Sequence, residues 1–263
     1  RNHRKILVVD GRVAFTGGMN VSDVNVSRPG RPADRDFHFE VRGPVVQELQ
    51  YSFLNDWHFM TGETAERLLC AEHFPSQPAV GGDLVRVANG EPAEESETLP
   101  DILFALLTAA RRQILIVTPY FVPTMDILRA LRAAALRGIE VKLLVPKYNN
   151  HVYAGWAGRS FYESLLTAGV QIVERAPPFL HAKALIVDDE VAMVGSANLD
   201  SRSLRLNYET NLLVWGAQFI GRLKSAVLDE FACGEAITTA AWLRRPARHR
   251  WIERAAALLS PVL

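Results

Sequence analysis

Cysteine is nearly missing from this chain of 263 residues, which has only Cys70 and Cys233. Two thiols cannot build a disulfide scaffold, and neither sits in a CxxC or Cys/His cluster, so a reducing compartment is expected. Long apolar runs are missing as well. Stretches such as Ile102–Leu107 and Ile114–Val117 fall far short of the ~18–20 residues a membrane span requires. No secretory leader is visible. The chain opens on Arg1 rather than Met, so it is expected to start inside a longer protein. Net charge is absent too, because 29 basic residues balance 29 acidic ones. Lysine is scarce among the basic residues, five of 29, so each lysine carries information. What the chain does have is apolar mass. With 49% apolar and 22% charged residues, it is no disordered tail, coiled coil or collagen-like fibre, and it can bury the core of one large or two smaller domains.

An internal repeat organises the chain. Residues 3–20, HRKILVVDGRVAFTGGMN, and residues 181–198, HAKALIVDDEVAMVGSAN, are identical at nine of eighteen positions. Both copies contain H-x-K-x4-D, as His3/Lys5/Asp10 and His181/Lys183/Asp188, and both place an asparagine seventeen residues after the histidine, Asn20 and Asn198. With seven His, five Lys and twelve Asp in the chain, chance supplies ~0.006 such matches. Two of the five lysines fall in these copies, which points to a need for a compact ammonium rather than a planar guanidinium. After each lysine comes an apolar, largely β-branched run (Ile6–Val9, Ala184–Val187), then a turn at Asp10-Gly11 or Asp188-Asp189. A second strand (Val13–Thr16, Val191–Val194) follows and is closed by Gly17-Gly18 or Gly195-Ser196. The two-residue spacing predicts that each His and Lys share one face of their strand.

Ahead of the second copy the pattern predicts helix 102–112, strand 114–117, helix 124–137, strand 141–145, helix 159–167 and strand 170–173. Gly138 and Gly169 serve as helix stops. Strands alternating with helices imply an α/β fold in which each repeat is a mostly parallel mixed sheet flanked by helices, with the His-Lys strand central. The first repeat is incomplete, because only two residues precede His3; by symmetry roughly 80–100 residues are expected before it. Residues 44–60 read as a helix opened by Pro44, 84–88 as a short strand, and the acidic Asn89–Thr98 as an exposed linker. The expected division is 1–83 for the end of the first repeat, 84–235 for the second, and 236–263 for a basic C-terminal segment.

Two imidazoles and two ammonium groups facing one cleft suit a phosphodiester. The lysines, with Asn20 and Asn198, would hold the non-bridging oxygens and offset charge in the transition state. One histidine can attack phosphorus, and the other can protonate the leaving alcohol and deprotonate the next. This chemistry requires no metal or cofactor, and His38, His58, His73, His151 and His249 lack metal-ligand spacing.

The doubled H-x-K-x4-D, each followed by G-[GS]-x-N, resembles the phospholipase D superfamily. Several flanks narrow the resemblance to bacterial cardiolipin synthases, in the branch without N-terminal membrane spans. They are Asp34-Arg35-Asp36-Phe37-His38, Thr118-Pro119-Tyr120-Phe121-Val122-Pro123, Gly195 to Ser203, Leu206-Asn207-Tyr208-Glu209 and the C-terminal Trp-Leu-Arg-Arg-Pro. The resemblance implies that His3 becomes phosphorylated, that His181 is the general acid/base, and that Lys5, Lys183, Asn20 and Asn198 are phosphate ligands. It also implies that each histidine is held by a carboxylate downstream of its motif. Glu209, twenty-eight residues after His181, and Asp36, thirty-three after His3, fill those positions, while Asp10 and Asp188 brace the strand turns. Asn149-Asn150 departs from the acidic residue many relatives carry near that loop. The implied reaction joins two phosphatidylglycerol molecules into cardiolipin and glycerol. Alternatives are hydrolysis of a phospholipid or nucleic acid by the same groups, or a non-catalytic membrane-binding remnant.

The expected partner is anionic phospholipid at a membrane surface, peripheral on the bacterial inner membrane. Nucleic acid is not expected. Residues 242–263 carry five arginines against Glu253, a net +4, leaving the remaining 241 residues at −4 with no obvious stacking platform. From Ala247 on, Trp251, Ile252, Ala255, Leu258, Leu259 and Val262 fall on one helical face, with Arg248, Arg250, Glu253 and Arg254 off it. That pattern fits an interfacial anchor or a helix packed on the protein's own core. Tyr120 and Phe121 can likewise line an acyl groove or belong to the core.

Overall fold

A computed structural model describes residues 1–92 and 98–260. The first part contains β1 (Ile6–Val9), β2 (Val13–Gly17), β3 (His38–Arg42), α1 (Val45–Thr61) and α2 (Ala65–Leu68). The second runs β4 (Leu84–Gly90), α3 (Thr98–Ala109), β5 (Gln113–Val117), β6 (Phe121–Val122), α4 (Met125–Leu136), β7 (Glu140–Pro146), α5 (Val152–Arg159), α6 (Tyr162–Ala168) and β8 (Gln171–Arg175). It continues through β9 (Ala184–Val187), β10 (Val191–Gly195), β11 (Leu199–Asp200), α7 (Ser201–Arg205), β12 (Glu209–Trp215), α8 (Ala217–Ala232), β13 (Gly234–Ile237), α9 (Thr239–Leu243) and α10 (Ala247–Ala257).

β1, β2 and β3 form a three-stranded antiparallel sheet, and an eight-stranded sheet runs β13-β8-β7-β5-β9-β10-β12-β4. β9, which follows the second His-Lys motif, lies inside the large sheet as expected. The sheet is mixed, but its parallel share is smaller than the sequence pattern predicts. Only β8-β7-β5 pair in parallel, and the other five pairings are antiparallel. The connections decide this. Helices α4, α5 and α6 give β5, β7 and β8 their crossovers, whereas the tight turn at Asp188-Asp189 forces β9 and β10 to run in opposite directions.

Strand alternation feeds two cores. Ile114, Ile116, Leu143, Leu185, Val187 and Met193 point into a core beneath α3, α4 and α6. Leu115, Val117, Leu144, Ile186 and Val194 point the other way, into a core shared with Ala14, Val41, Val46 and Leu49 of the first repeat and with Ile220 and Leu223 of α8. The repeats are thus welded through a common apolar layer, where truncating a leucine to alanine costs about 2–5 kcal/mol.

Several expected boundaries move. α3 opens at Thr98, with Pro100 tolerated in its first turn. The expected helix 159–167 is α6, shifted to Tyr162–Ala168, and a separate helix, α5, precedes it across Ser160-Phe161; α5 escaped the sequence reading because Gly155 and Gly158 weaken its helical pattern. The expected linker is shorter, since Asn89 and Gly90 belong to β4 and Thr98 to α3, while residues 93–97 lie outside the described residues. β13 spans the 235/236 boundary, so the C-terminal segment begins inside the large sheet, antiparallel to β8. α10 is a helix as expected, but Glu253 and Ala256 are what it buries. Trp251, Ile252, Ala255, Leu258 and Leu259 face outward, and Val262 lies outside the described residues.

Candidate active site

The two repeats meet through a pair of equivalent backbone clasps. His3 N donates to Tyr208 O (2.9 Å) and Tyr208 N to Arg1 O (2.8 Å); in the other half His181 N donates to Arg35 O (2.7 Å) and Arg35 N to Phe179 O (2.8 Å). Each histidine is therefore laid beside the residue preceding a carboxylate of the opposite repeat. The side chains complete the crossing. His3 Nδ1 lies 2.9 and 2.8 Å from the two oxygens of Glu209, and His181 Nδ1 lies 2.7 Å from Asp36 Oδ2. Both carboxylates are the predicted residues, but each holds the histidine of the other repeat instead of its own. Spacing along the chain could not reveal this, because the exchange exists only once the repeats face each other.

A carboxylate only accepts hydrogen bonds, so each Nδ1 carries a proton and each Nε2 is left clear of the carboxylate, able to offer a lone pair or a proton. The two clamps differ. Glu209 is fully buried and also accepts from Ser196 Oγ (2.5 Å) and Asn207 Nδ2 (3.1 Å). Burial pushes its carboxyl up, but the bonds from His3, Ser196 and Asn207 outweigh that and hold it below the usual carboxylate range. Asp36, equally hidden, accepts from His181 and from the backbone of Phe37 (2.8 Å). Where the second repeat has Ser196 the first has Gly18, and a Cβ there would meet Asp36 Oδ1 at 2.1 Å. The glycine makes room for one carboxylate; the serine at its counterpart ties down the other. Ser196 and Asn207 were in the quoted motifs without a role, and the serine/glycine difference between the copies was the available signal.

The lysines do not lie on the regular strands, as alternation predicted, but in the extended lead-ins just before β1 and β9. Lys5 Nζ donates to His3 O (2.7 Å). Lys183 Nζ donates to His181 O and lies 3.1 Å from His181 Nε2. Burial pulls Lys5 down to about 8 and Lys183 to about 7, with Glu209 and Asp36 pushing back on both. Burial also lowers His181, against the bond from Asp36. An anion placed here would restore both ammonium charges, which is how a desolvated cationic site favours phosphate over water.

Asp10 and Asp188 sit at equivalent turns, both at positive φ (53° and 57°). Asp188 accepts from the backbone N–H groups of Arg111, Arg112 and Gln113 at 2.7–2.8 Å, which fixes the start of β5 against β9. Asp10 is exposed.

His3, His181, Asn20 and Asn198 line one cleft of about 680 Å³. Asn198 Oδ1 is buried with no hydrogen-bond partner among the described residues. The cleft wall also includes Asp200, to which the sequence reading gave no role, and Tyr120. Asp200, raised by burial, caps α7 through Ser203 N (2.7 Å). Tyr120 donates its hydroxyl to Asn150 Oδ1 (2.7 Å) and sets its ring edge-on to His181. Phe121 belongs to the core, whereas Tyr120 lines the cleft. Two histidine–carboxylate pairs thus cross at the junction of the two motif repeats.

Residues 103–229 match the family described as cardiolipin synthase, PLD-like domain. Across the full chain, cardiolipin synthases of Geobacillus thermodenitrificans (strain NG80-2) and Staphylococcus aureus (strain N315) are 41% and 35% identical, and the chain covers 52% and 53% of them. The chain spans about half the length of the curated relatives it matches. The solved phosphatidylserine synthase of Haemophilus influenzae Rd KW20 superposes on 100% of this chain and 71% of its own, with a TM-score of 0.75 at 14% identity. A phospholipase D family member, Nuc, from Salmonella typhimurium covers 60% of this chain and 99% of its own, with a TM-score of 0.51 at 21% identity. At those identities the two solved structures speak for the fold alone. The chain thus carries a PLD-like cardiolipin synthase domain and is similar along its whole length to curated cardiolipin synthases.

Proposed function

We propose that the protein carrying this chain is a phosphatidyltransferase that converts two phosphatidylglycerol molecules into cardiolipin and glycerol, working peripherally at the bacterial inner membrane. The observation that carries the reading is the placement of His3 and His181 on one cleft, each held through Nδ1 by a buried carboxylate of the opposite repeat. Two curated relatives above 40% identity over the whole chain bear the name cardiolipin synthase.

In the first step the His3 Nε2 lone pair attacks phosphorus. A P–N bond forms, the P–O bond to glycerol breaks, and His181 supplies the proton that lets glycerol leave. In the second, His181 takes the proton from a hydroxyl of another phosphatidylglycerol, whose oxygen attacks the phosphohistidine and frees His3. Glu209 stabilises the imidazolium character His3 gains, and Lys5, Lys183, Asn20 and Asn198 hold the phosphoryl oxygens. The test is a product assay by thin-layer chromatography with labelled phosphatidylglycerol in the full-length protein. Cardiolipin and glycerol are expected, with 32P-lipid label on the protein that His3→Ala abolishes. His181→Ala should lower kcat roughly 10²–10⁴-fold. Label that survives His3→Ala, or phosphatidic acid as the sole product, would overturn the reading.

A further inference from the structure

α10 is built inside out for a helix on a protein surface. It buries Glu253, which the two terminal nitrogens of the Arg245 guanidinium bind at 2.6 and 3.0 Å, and Ala256, which packs with Ala157 of α5 and with Val122. The Arg245 guanidinium in turn lies 3.1 Å above the ring of the buried Trp242. These contacts fix the helix with its apolar stripe in solvent, where Trp251 is 71% and Leu258 82% exposed. Arg248 and Arg254 are exposed alongside that stripe. Its amphipathic pattern is therefore not spent on the protein's own core.

The stripe continues toward the cleft. Leu258 borders a groove of about 710 Å³ together with Met125 and Leu206, themselves 55% and 48% exposed. Among the described residues Asp126 is the one acid lining that groove. α7 is the partition between groove and cleft: Ser201 and Arg205 line the groove, while Arg202 and Ser203 line the cleft that holds His3 and His181. A surface that seats on this stripe would thus lie at the mouth of the cleft.

From this placement we infer that the outward face of α10, with Met125 and Leu206 across the groove, docks on the surface of an anionic phospholipid bilayer and presents the cleft to it. Exposed Trp and Leu flanked by arginines match the apolar and negative layers that such a surface offers together. The inference rests on the proposed lipid substrate only for its purpose. The docking itself is measured without turnover.

The test is flotation of the full-length protein with vesicles of phosphatidylcholine alone or mixed with phosphatidylglycerol. Turnover is read in parallel on phosphatidylglycerol dispersed in detergent micelles, where no bilayer needs to be found. Binding only to the mixed vesicles is expected, with a blue shift of tryptophan emission that is lost in Trp251→Glu. Arg248→Gln with Arg254→Gln should weaken partitioning roughly 30-fold, and micellar turnover should stay unchanged in both variants. Far-ultraviolet dichroism confirms that they fold. If neither variant alters vesicle binding, or if Trp251→Glu dissolves an oligomer without affecting vesicles, the face serves something else and the inference fails. Vesicle binding that behaves as expected in a protein that makes no cardiolipin would instead sink the transferase reading and leave the docking surface standing.

Discussion

In the second repeat Leu185 and Val187 are 4% exposed and sit in the core beneath α3 and α4, whereas their counterparts in the first, Leu7 and Val9, are 59% and 44% exposed. β9 has β5 on one side and β10 on the other; among the described residues β1 pairs with β2 alone. Asp188 gathers three backbone N–H groups while Asp10 faces solvent. The inner faces nonetheless match: Ala14 and Ala192 are both fully buried in the shared core, and the two clasps around His3 and His181 are the same pattern of bonds. The site depends on these inner faces, which bring the two histidines to one cleft.

The comparison breaks most severely if the small residue behind each carboxylate is exchanged. Gly18→Ser drives a Cβ into Asp36 and unseats the group that orients His181, so kcat in the full-length protein should fall roughly 10²–10⁴-fold. Ser196→Gly removes one of three donors to Glu209 and should cost roughly fivefold. Equal losses in steady-state assays would show that the two clamps are interchangeable. A second contrast sharpens the outer faces. Leu185→Ala should lower unfolding free energy by about 2–5 kcal/mol and Leu7→Ala by about 0.5 kcal/mol or less, as read by denaturant titration of this chain.

The smallest effect concerns Lys183, and its sign follows from its depressed value. Burial holds it near 7, below the ordinary 10.5, so the folded state penalises the charged form. That penalty is fully present below about 7 and fades as pH rises toward 10.5, because over that interval the unfolded chain holds the extra proton. Lys183→Met should therefore raise Tm by a few degrees in mildly acidic buffer and by less in alkaline buffer, while removing activity. A gain in Tm that does not change with pH would assign the effect to packing instead of charge.

The reading of the chain from residues alone reached the repeat, both H-x-K-x4-D sets, both asparagines, both carboxylates and most strands. These are identities and short-range spacings, which a linear pattern can hold. It missed α5, whose glycines dilute its helical pattern, and it overestimated parallel pairing because strand direction depends on how each connection folds. It attached the carboxylates to the wrong histidines, since nothing in a spacing of twenty-eight residues says which side of an interface the side chain will meet. The outward-facing apolar stripe of α10 was visible as a stripe. Its direction was settled by the burial of Glu253 against Arg245.

The amino-acid order alone determined which groups are available for chemistry: two imidazoles, two lysines in a chain that otherwise prefers arginine, and the amides and carboxylates placed around them. Tertiary structure decided who partners whom, because hydrogen bonds of 2.7–2.9 Å between residues 145 and 206 positions apart exist only after a shared apolar layer has pressed the repeats together.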